Sequence, residues 1–452
     1  MSSIPSSVGI APPRASALAP FSIKSFRFQW PADLCASWAF EMEALILGWY
    51  VLTETGSVKL LVAFAALQWA GALFSPLFGV AGDRLGHRTL LCSTRALYAV
   101  LAALMLVLIV SGALVPWHVF AIFAVVGLVR PSDMVMRHAL IGQTMPPALL
   151  MGSLGLSRMT ADSARIAGAI AGAGVVAAFG MGPAYVMVMS LYVISFVLST
   201  RVAGAPRVES AAAGGAGAAG VGGAVAGVIG AANASSGDPA PAPASPWNDL
   251  RTGFAYVWSK PDLLAALAMA FLVNLFAFPF MMGLLPYVAK DVYGAGQTGL
   301  GYLAASFATG GLIGSLLLSS NRIPLRAART MILAGAAWLG MLLIFAQTRT
   351  LASGMGVLLI TGIAHNLCLM PIAAVMLRGS ADDMRGRVMG MRMLGIWGLP
   401  AGLLLAGPLI AAFGFTAALT SYALIGLLLV LAIAWRWRHA VWLPSAPANA
   451  RL

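Results

Sequence analysis

The sequence predicts an all-α membrane protein with twelve spanning helices in two groups of six. Three observations carry this reading: a chain of 452 residues that is 60% hydrophobic and only 9% charged, a series of long apolar runs, and a lopsided placement of its basic residues. A soluble domain carries roughly 25% charged residues. So few charges leave too little polar surface to face water, and lipid is the fitting solvent. About 20 apolar residues cross the hydrocarbon core once.

The apolar runs fall at 32–53, 59–81, 90–112, 116–136, 151–179, 183–203, 264–288, 298–319, 330–348, 352–376, 388–413 and 416–435. Six precede a long central stretch and six follow it. They are continuous, without the period-two alternation of a membrane barrel. Their Gly, Ala and Ser content suits helices that pack closely without a hydrophobic driving force.

Of the 27 Lys and Arg residues, three (Lys59, Lys290 and Arg349) fall in alternate loops, and five (Arg95, Arg130, Arg158, Arg165 and Arg392) fall in spans. The remaining 19 gather on the other side, which places both termini in the cytoplasm by the positive-inside rule. The net charge of +13 therefore reads as a topology signal and not as nucleic-acid binding. Residues 211–234 are uncharged but mostly Gly and Ala. Inserting them would gain little, and a thirteenth span would turn Arg322, Arg326, Arg329, Arg385 and Arg387 outward.

The expected organisation is a disordered cytoplasmic tail (1–28), a six-helix bundle (29–203), a flexible cytoplasmic linker (204–246), an interfacial amphipathic helix (247–262), a second six-helix bundle (263–436) and a cytoplasmic tail (437–452). The Ser245-Pro246 pair has the chemistry of a helix start. The first tail lacks the compact apolar run of a signal peptide. Cys35, Cys92 and Cys368 are far apart and suggest neither disulfides nor a metal knuckle.

Between spans two and three stands Gly79-Val80-Ala81-Gly82-Asp83-Arg84-Leu85-Gly86-His87-Arg88. Its glycines permit a tight reversal, and its acid and bases sit at the membrane edge. The stretch resembles the signature loop of the major facilitator superfamily, G-x-x-x-D-R-x-G-R/H-R/K, in the position where that family carries it. Asn321-Arg322 and Arg326 repeat Asp83-Arg84 and Arg88 at an offset of 238, and Met389-Gly390 repeats Met151-Gly152 at the same offset. A shared offset points to an internal repeat.

Two further stretches resemble the drug:proton antiporter branch that includes macrolide and siderophore exporters. Arg165, Gly168, Ala169 and Gly172 match its Arg-x-x-Gly-Pro/Ala-x-x-x-Gly pattern in span five. Asp383-Met384-Arg385-Gly386-Arg387-Val388 is similar to the D/E-x-R-G-R-V stretch before span eleven. The resemblance implies two bundles alternating around a central cavity, usually with proton-driven export. It makes Gly79, Asp83, Arg84, Gly86 and Arg88 a conformational-gate loop, and Asp383, Arg385, Gly386 and Arg387 a second-half loop. Gly168 and Gly172 would serve a rocking contact or plain close packing.

A carboxyl held in a low-dielectric site can exchange protons near neutral pH, and a charge at mid-membrane costs roughly 2.5–3.5 kcal/mol on the insertion scale. The candidates are Glu41 and Glu43 in span one, Asp133 in span four and Asp162 in span five. Glu41 and Glu43 stand about 200° apart around a helix. Glu41 shares a polar stripe with Asp33 and Ser37, which makes it the better cavity residue. Its alternative is a structural ion pair with Arg130 or Arg165. Glu43 sits on a more apolar face and reads as structural or interfacial. Asp162 lies between Arg158 and Arg165 on one face, as in a standing salt-bridge network. Arg130 falls where related antiporters carry a coupling arginine, and snorkelling to the interface is its alternative. The proton-coupling candidates are thus Glu41, Arg130 and Asp162.

For the cargo, Asn274 and Phe278 in span seven and His365 and Asn366 in span ten are the cavity candidates. No phosphate-binding G-x-x-x-x-G-K-S/T loop is present, which argues against ATP drive. Each charge moved with the field yields about 2.3 kcal/mol per 100 mV.

The expected function is a proton-coupled antiporter acting in efflux of a small amphipathic molecule. It would be a cofactor-free monomer in the inner membrane. An importer or a lysophospholipid flippase on the same fold is the alternative. A membrane-embedded enzyme is the less favoured class, because the five His residues are scattered.

Overall fold

The structure, a computed structural model, describes residues 19–74, 81–82, 85–202, 246–319, 326–381, 384, 388, 391–392 and 395–442. Most of the N-terminal tail, the linker at 203–245 and the end of the chain lie outside the described residues. Among the described residues every regular element is helical.

The first half holds α1 (Lys24–Thr55), α2 (Val58–Leu67, followed by the turn Ala70–Phe74), α3 (His87–Val110), α4 (Pro116–Thr144), α5 (Pro147–Phe179) and α6 (Met181–Ser199). Gly56 ends α1 at a φ of 60°, and its N–H bonds the Leu52 carbonyl. That left-handed residue is the usual way to close a helix. Ser57 then caps α2 by accepting from the Leu60 N–H.

The second half holds α7 (Pro246–Ser259), α8 (Pro261–Phe276), α9 (Gln297–Ser319), α10 (Ala327–Gln347), α11 (Leu351–Arg378), α12 (Gly398–Arg436) and α13 (Arg438–Trp442). Pro279 and Pro286 lack an N–H and break the helical ladder after α8. The chain continues there through Phe278–Met282, Leu285–Tyr287 and a π turn at Val288–Val292.

By length and composition, eight helices among the described residues can cross a membrane. α1 carries more charge, and α2 is short in its described part. α8 leads into the broken turns. α12 is interrupted at Gly414, whose φ is 81°. With these elements the arrangement is consistent with twelve spans. α7 is not a continuation of α8, since the two axes meet at 112°. Lys260 holds the corner by donating to the Tyr256 hydroxyl (2.6 Å) and to the Gly379 carbonyl (2.9 Å). Phe254 and Trp258 remain exposed and stack with ring centres 5.4 Å apart.

The two halves touch at the end of the molecule that carries Lys59 and Lys290. Gly301 in α9 packs on Ala169 and Ala173 in α5, and Gly407 in α12 packs on Val62 and Lys59. Lys290 donates to the Leu52 carbonyl at 3.2 Å. Gly48 faces Pro286. Both Leu52–Lys290 and Gly48–Pro286 are separated by 238 positions, the offset of the sequence echo. Repeat-related positions that meet each other are what a two-fold axis between the halves requires.

Candidate functional site

Where α1, α2, α4 and α5 face the broken turns after α8 and the helix α9, they enclose a cavity of about 110 Å³. Its wall is mainly apolar, with Phe64, Met281, Met282 and Phe307 as the bulky members. Glu41, Gln68, Trp69, Arg130 and Arg165 supply its polar groups. Three of the sequence-predicted residues, Glu41, Arg130 and Arg165, therefore meet on one surface.

Arg165 Nε lies 3.9 Å from Glu41 Oε1, with both side chains about 30% exposed. Arg130 lays its guanidinium over the Phe40 ring, 3.1 Å from the ring centre. A cation over an aromatic face gains electrostatic attraction, but that contact does not use its in-plane N–H donors. Among the described residues Arg130 Nη1 has no hydrogen-bond acceptor, and neither does Trp69 Nε1. This wall thus carries two cations, one anion and two unused donors.

Gly168 and Gly172 set α5 close against α1. A Cβ at Gly168 would come within 2.8 Å of the Glu41 Cβ, and one at Gly172 within 3.2 Å of the Met42 Cα. The pair therefore governs how near α5 and Arg165 come to Glu41. Asp162 is buried in α5 and is not part of the cavity wall.

Glu43 points the other way, into the first bundle. It is 1% exposed and accepts from the hydroxyls of Tyr192 (2.8 Å) and Tyr185 (3.2 Å). Deeper in this half lies a network that the sequence analysis did not assemble. Arg95 donates to Asp33, to Asp133 (3.2 Å) and to Ser199 (2.6 Å). Arg137 reaches Asp133 (2.7 Å), Asp33 (3.5 Å) and Ser37 (3.0 Å). Two acids and two bases neutralise one another, as buried charges must. The i, i+4 spacing of Asp133 and Arg137 was the one local signal for it.

The four cargo candidates of the second half pack within that half. Asn274 donates to the Ala270 carbonyl of its own helix (2.8 Å). Asn366 donates to the Gly311 carbonyl and to Ser315 (3.0 Å). His365 is 2% exposed and is enclosed by the rings of Phe278, Phe307 and Trp338. Only Phe307 of this group also reaches the cavity wall.

Of the predicted gate loop, Gly79, Asp83 and Arg84 lie outside the described residues. Gly86 precedes α3 at a φ of 89°, and Arg88 donates to the Thr200 carbonyl at the end of α6. Asp383, Arg385, Gly386 and Arg387 also lie outside the described residues.

The Major Facilitator Superfamily sequence profile matches residues 30–401. No curated protein sequence matches the chain. Among solved structures, the chain is similar to the POT family transporter PepTSo (14% identity, TM-score 0.69, covering 93% of this chain and 99% of that one). It is also similar to the nucleoside transporter NupG (13%, TM-score 0.65, 92% and 100%) and to the human organic anion transporter MFSD10 (17%, TM-score 0.57, 91% and 99%). At these identities the likeness concerns the fold. The profile spans both halves and the site between them, so the chain belongs to the Major Facilitator Superfamily and is a multi-pass membrane transporter of small molecules, not an enzyme.

Proposed function

We propose that this protein is a proton-coupled secondary transporter that moves a small amphipathic molecule by alternating access of the cavity between its halves. The observation that carries the reading is the Glu41–Arg165 ion pair on the cavity wall. Protonating Glu41 removes one charge and frees Arg165, so the cavity differs electrically between the two protonation states. A ligand shifts a two-state equilibrium only by its differential affinity for the two states, and this pair offers such a difference.

Export is the proposed direction. It rests on the resemblance of Arg165–Gly172 and Asp383–Val388 to the exporter branch. The proposed setting is the cytoplasmic membrane, with a monomer, both termini inside, and α7 lying on the inner surface through Phe254 and Trp258. Import is a second reading favoured by one observation: with Glu41 protonated, two arginines would welcome an anionic group, so a proton and an anion could travel together. Both readings are separated by comparing intracellular levels of metabolites and drugs in deletion and overexpression cells. Depletion on overexpression supports export and enrichment supports import. A profile that is unchanged for every compound tested argues against the transport reading itself.

A further inference from the structure

The polar side of the cavity is unbalanced in two independent ways. Among the described residues its charged members are Arg130 and Arg165 against Glu41, which leaves one excess positive charge. Its hydrogen-bonding members include two donors without acceptors, Arg130 Nη1 and Trp69 Nε1. Among the described residues, no carboxylate other than Glu41 is on this wall. A buried donor without an acceptor costs about 1–3 kcal/mol, more when it is charged. The rest of the wall is soft and apolar, with Met281 and Met282 beside Phe64 and Phe307. Methionine surfaces adapt to varied apolar shapes.

Resting on the transport reading above in its second form, where a proton and an anion travel together, we propose that the cargo is an amphipathic organic anion. Its carboxylate, sulfonate or phosphate group would sit against Arg130 and accept from Trp69, with its apolar body on the methionine and phenylalanine side. Glu41 is then the protein's own counter-anion, competing with the cargo for Arg165. Glu41 also acts on Arg130 through space, but among the described residues no carboxylate lies within ion-pairing distance of it, so Arg130 is the primary anchor. A cationic cargo would meet two guanidinium groups with one carboxylate already engaged. A neutral cargo would leave the excess charge uncompensated.

The charged groups that face this site are Glu41 from α1, Arg130 from α4 and Arg165 from α5. Neutralising Glu41 therefore raises the positive potential of the cavity without removing a binding contact. An anion should bind Glu41→Gln more tightly than it binds the natural protein. That is the opposite of what loss of an ordinary binding residue does.

The test uses purified full-length protein at one neutral pH, with equilibrium binding of para-butylbenzoate, para-butylbenzamide and para-butylbenzylammonium. These share one body and differ in head-group charge. Benzoate should bind best. Arg130→Gln should weaken benzoate by about tenfold or more, as expected for a charge-assisted hydrogen bond, and leave the amide unchanged. Arg130→Lys should recover part of the loss. Glu41→Gln should strengthen benzoate severalfold, and Ala308→Trp, which fills the cavity, should abolish its binding. Thermal unfolding of each variant checks that it is folded. Binding of the ammonium or amide at least as tight as benzoate overturns the proposal. So does undetectable benzoate binding, or benzoate binding unaffected by Arg130→Gln or Ala308→Trp. These are equilibrium measurements without a gradient, so their failure leaves proton-driven flux to be judged by its own assay.

Discussion

The two halves of this molecule share an architecture but divide the chemistry. Among the described residues, every buried charged side chain lies in the first half: Asp33, Glu43, Arg95, Asp133, Arg137 and Asp162. The buried polar residues of the second half are neutral, chiefly Asn274, Thr361, His365 and Asn366. The repeat offset makes the contrast sharper. Positions 238 later than Asp33, Glu41, Arg95, Arg130, Asp133 and Arg165 hold Phe271, Pro279, Leu333, Cys368, Pro371 and Leu403. Among the described residues the first bundle holds the buried ions, and the other supplies shape, aromatic surface and proline-broken backbone. An ion pair is a discrete, switchable element, whereas an apolar wall is compatible with many cargos. The asymmetry therefore fits a division between coupling and accommodation.

The largest effect should come from breaking the four-charge network. Arg95 is fully buried and holds two carboxylates. Arg95→Met should cost about 3–5 kcal/mol, the usual penalty for stranding a buried partner, read as unfolding of the purified protein. The matched change in the second half, Asn366→Ala, should cost about 1–3 kcal/mol, the value for unpaired neutral groups. Equal losses would break the contrast between the halves.

Next in size is the close approach of α5 to α1. Gly168→Leu should destabilise by about 1–3 kcal/mol through overpacking, because its side chain runs into Glu41 and the Met42 backbone. It should also push Arg165 away from Glu41 and weaken any proton dependence of transport. Gly174→Leu is the control, since nothing lies within 4 Å of its Cβ position, and it should leave both properties unchanged.

The smallest effect belongs to the link between halves. Lys290→Met removes the bond to the Leu52 carbonyl and should cost about 0.5–1.5 kcal/mol of the closed arrangement. A cysteine placed at Gln68, on the cavity wall, should then react several-fold faster with a membrane-impermeant thiol reagent added from the Lys59 side. An unchanged rate would mean that the interbundle glycine contacts hold that end shut alone.

The fold was legible because long uncharged runs have few physical solutions and because Lys and Arg mark one side of a membrane. The interruptions of span seven were not foreseen, although Pro279 and Pro286 stand within it. Part of the candidate site was equally plain. A carboxylate and arginines inside apolar runs demand partners, so Glu41, Arg130 and Arg165 stood out.

Which acid meets which base was hidden, because Asp33 and Arg95 lie on different helices. The sequence also offered no way to tell that Met281, Met282 and Phe307 line the cavity. An apolar side chain reads the same whether it faces lipid, a packed interior or a cargo. Asn274, His365 and Asn366 drew notice for their polarity, yet they hydrogen-bond or pack within the second half.

The central claim is that coupling resides in the first half, at Glu41, and not in the buried His365 of the second. It is tested most directly in proteoliposomes with an imposed pH gradient, using a compound identified by the deletion and overexpression comparison. Glu41→Gln should abolish uphill transport while retaining downhill exchange, and His365→Ala should keep uphill transport within a few-fold of normal. Uphill transport by Glu41→Gln at the natural rate, or its loss in a folded His365→Ala protein, would contradict the account.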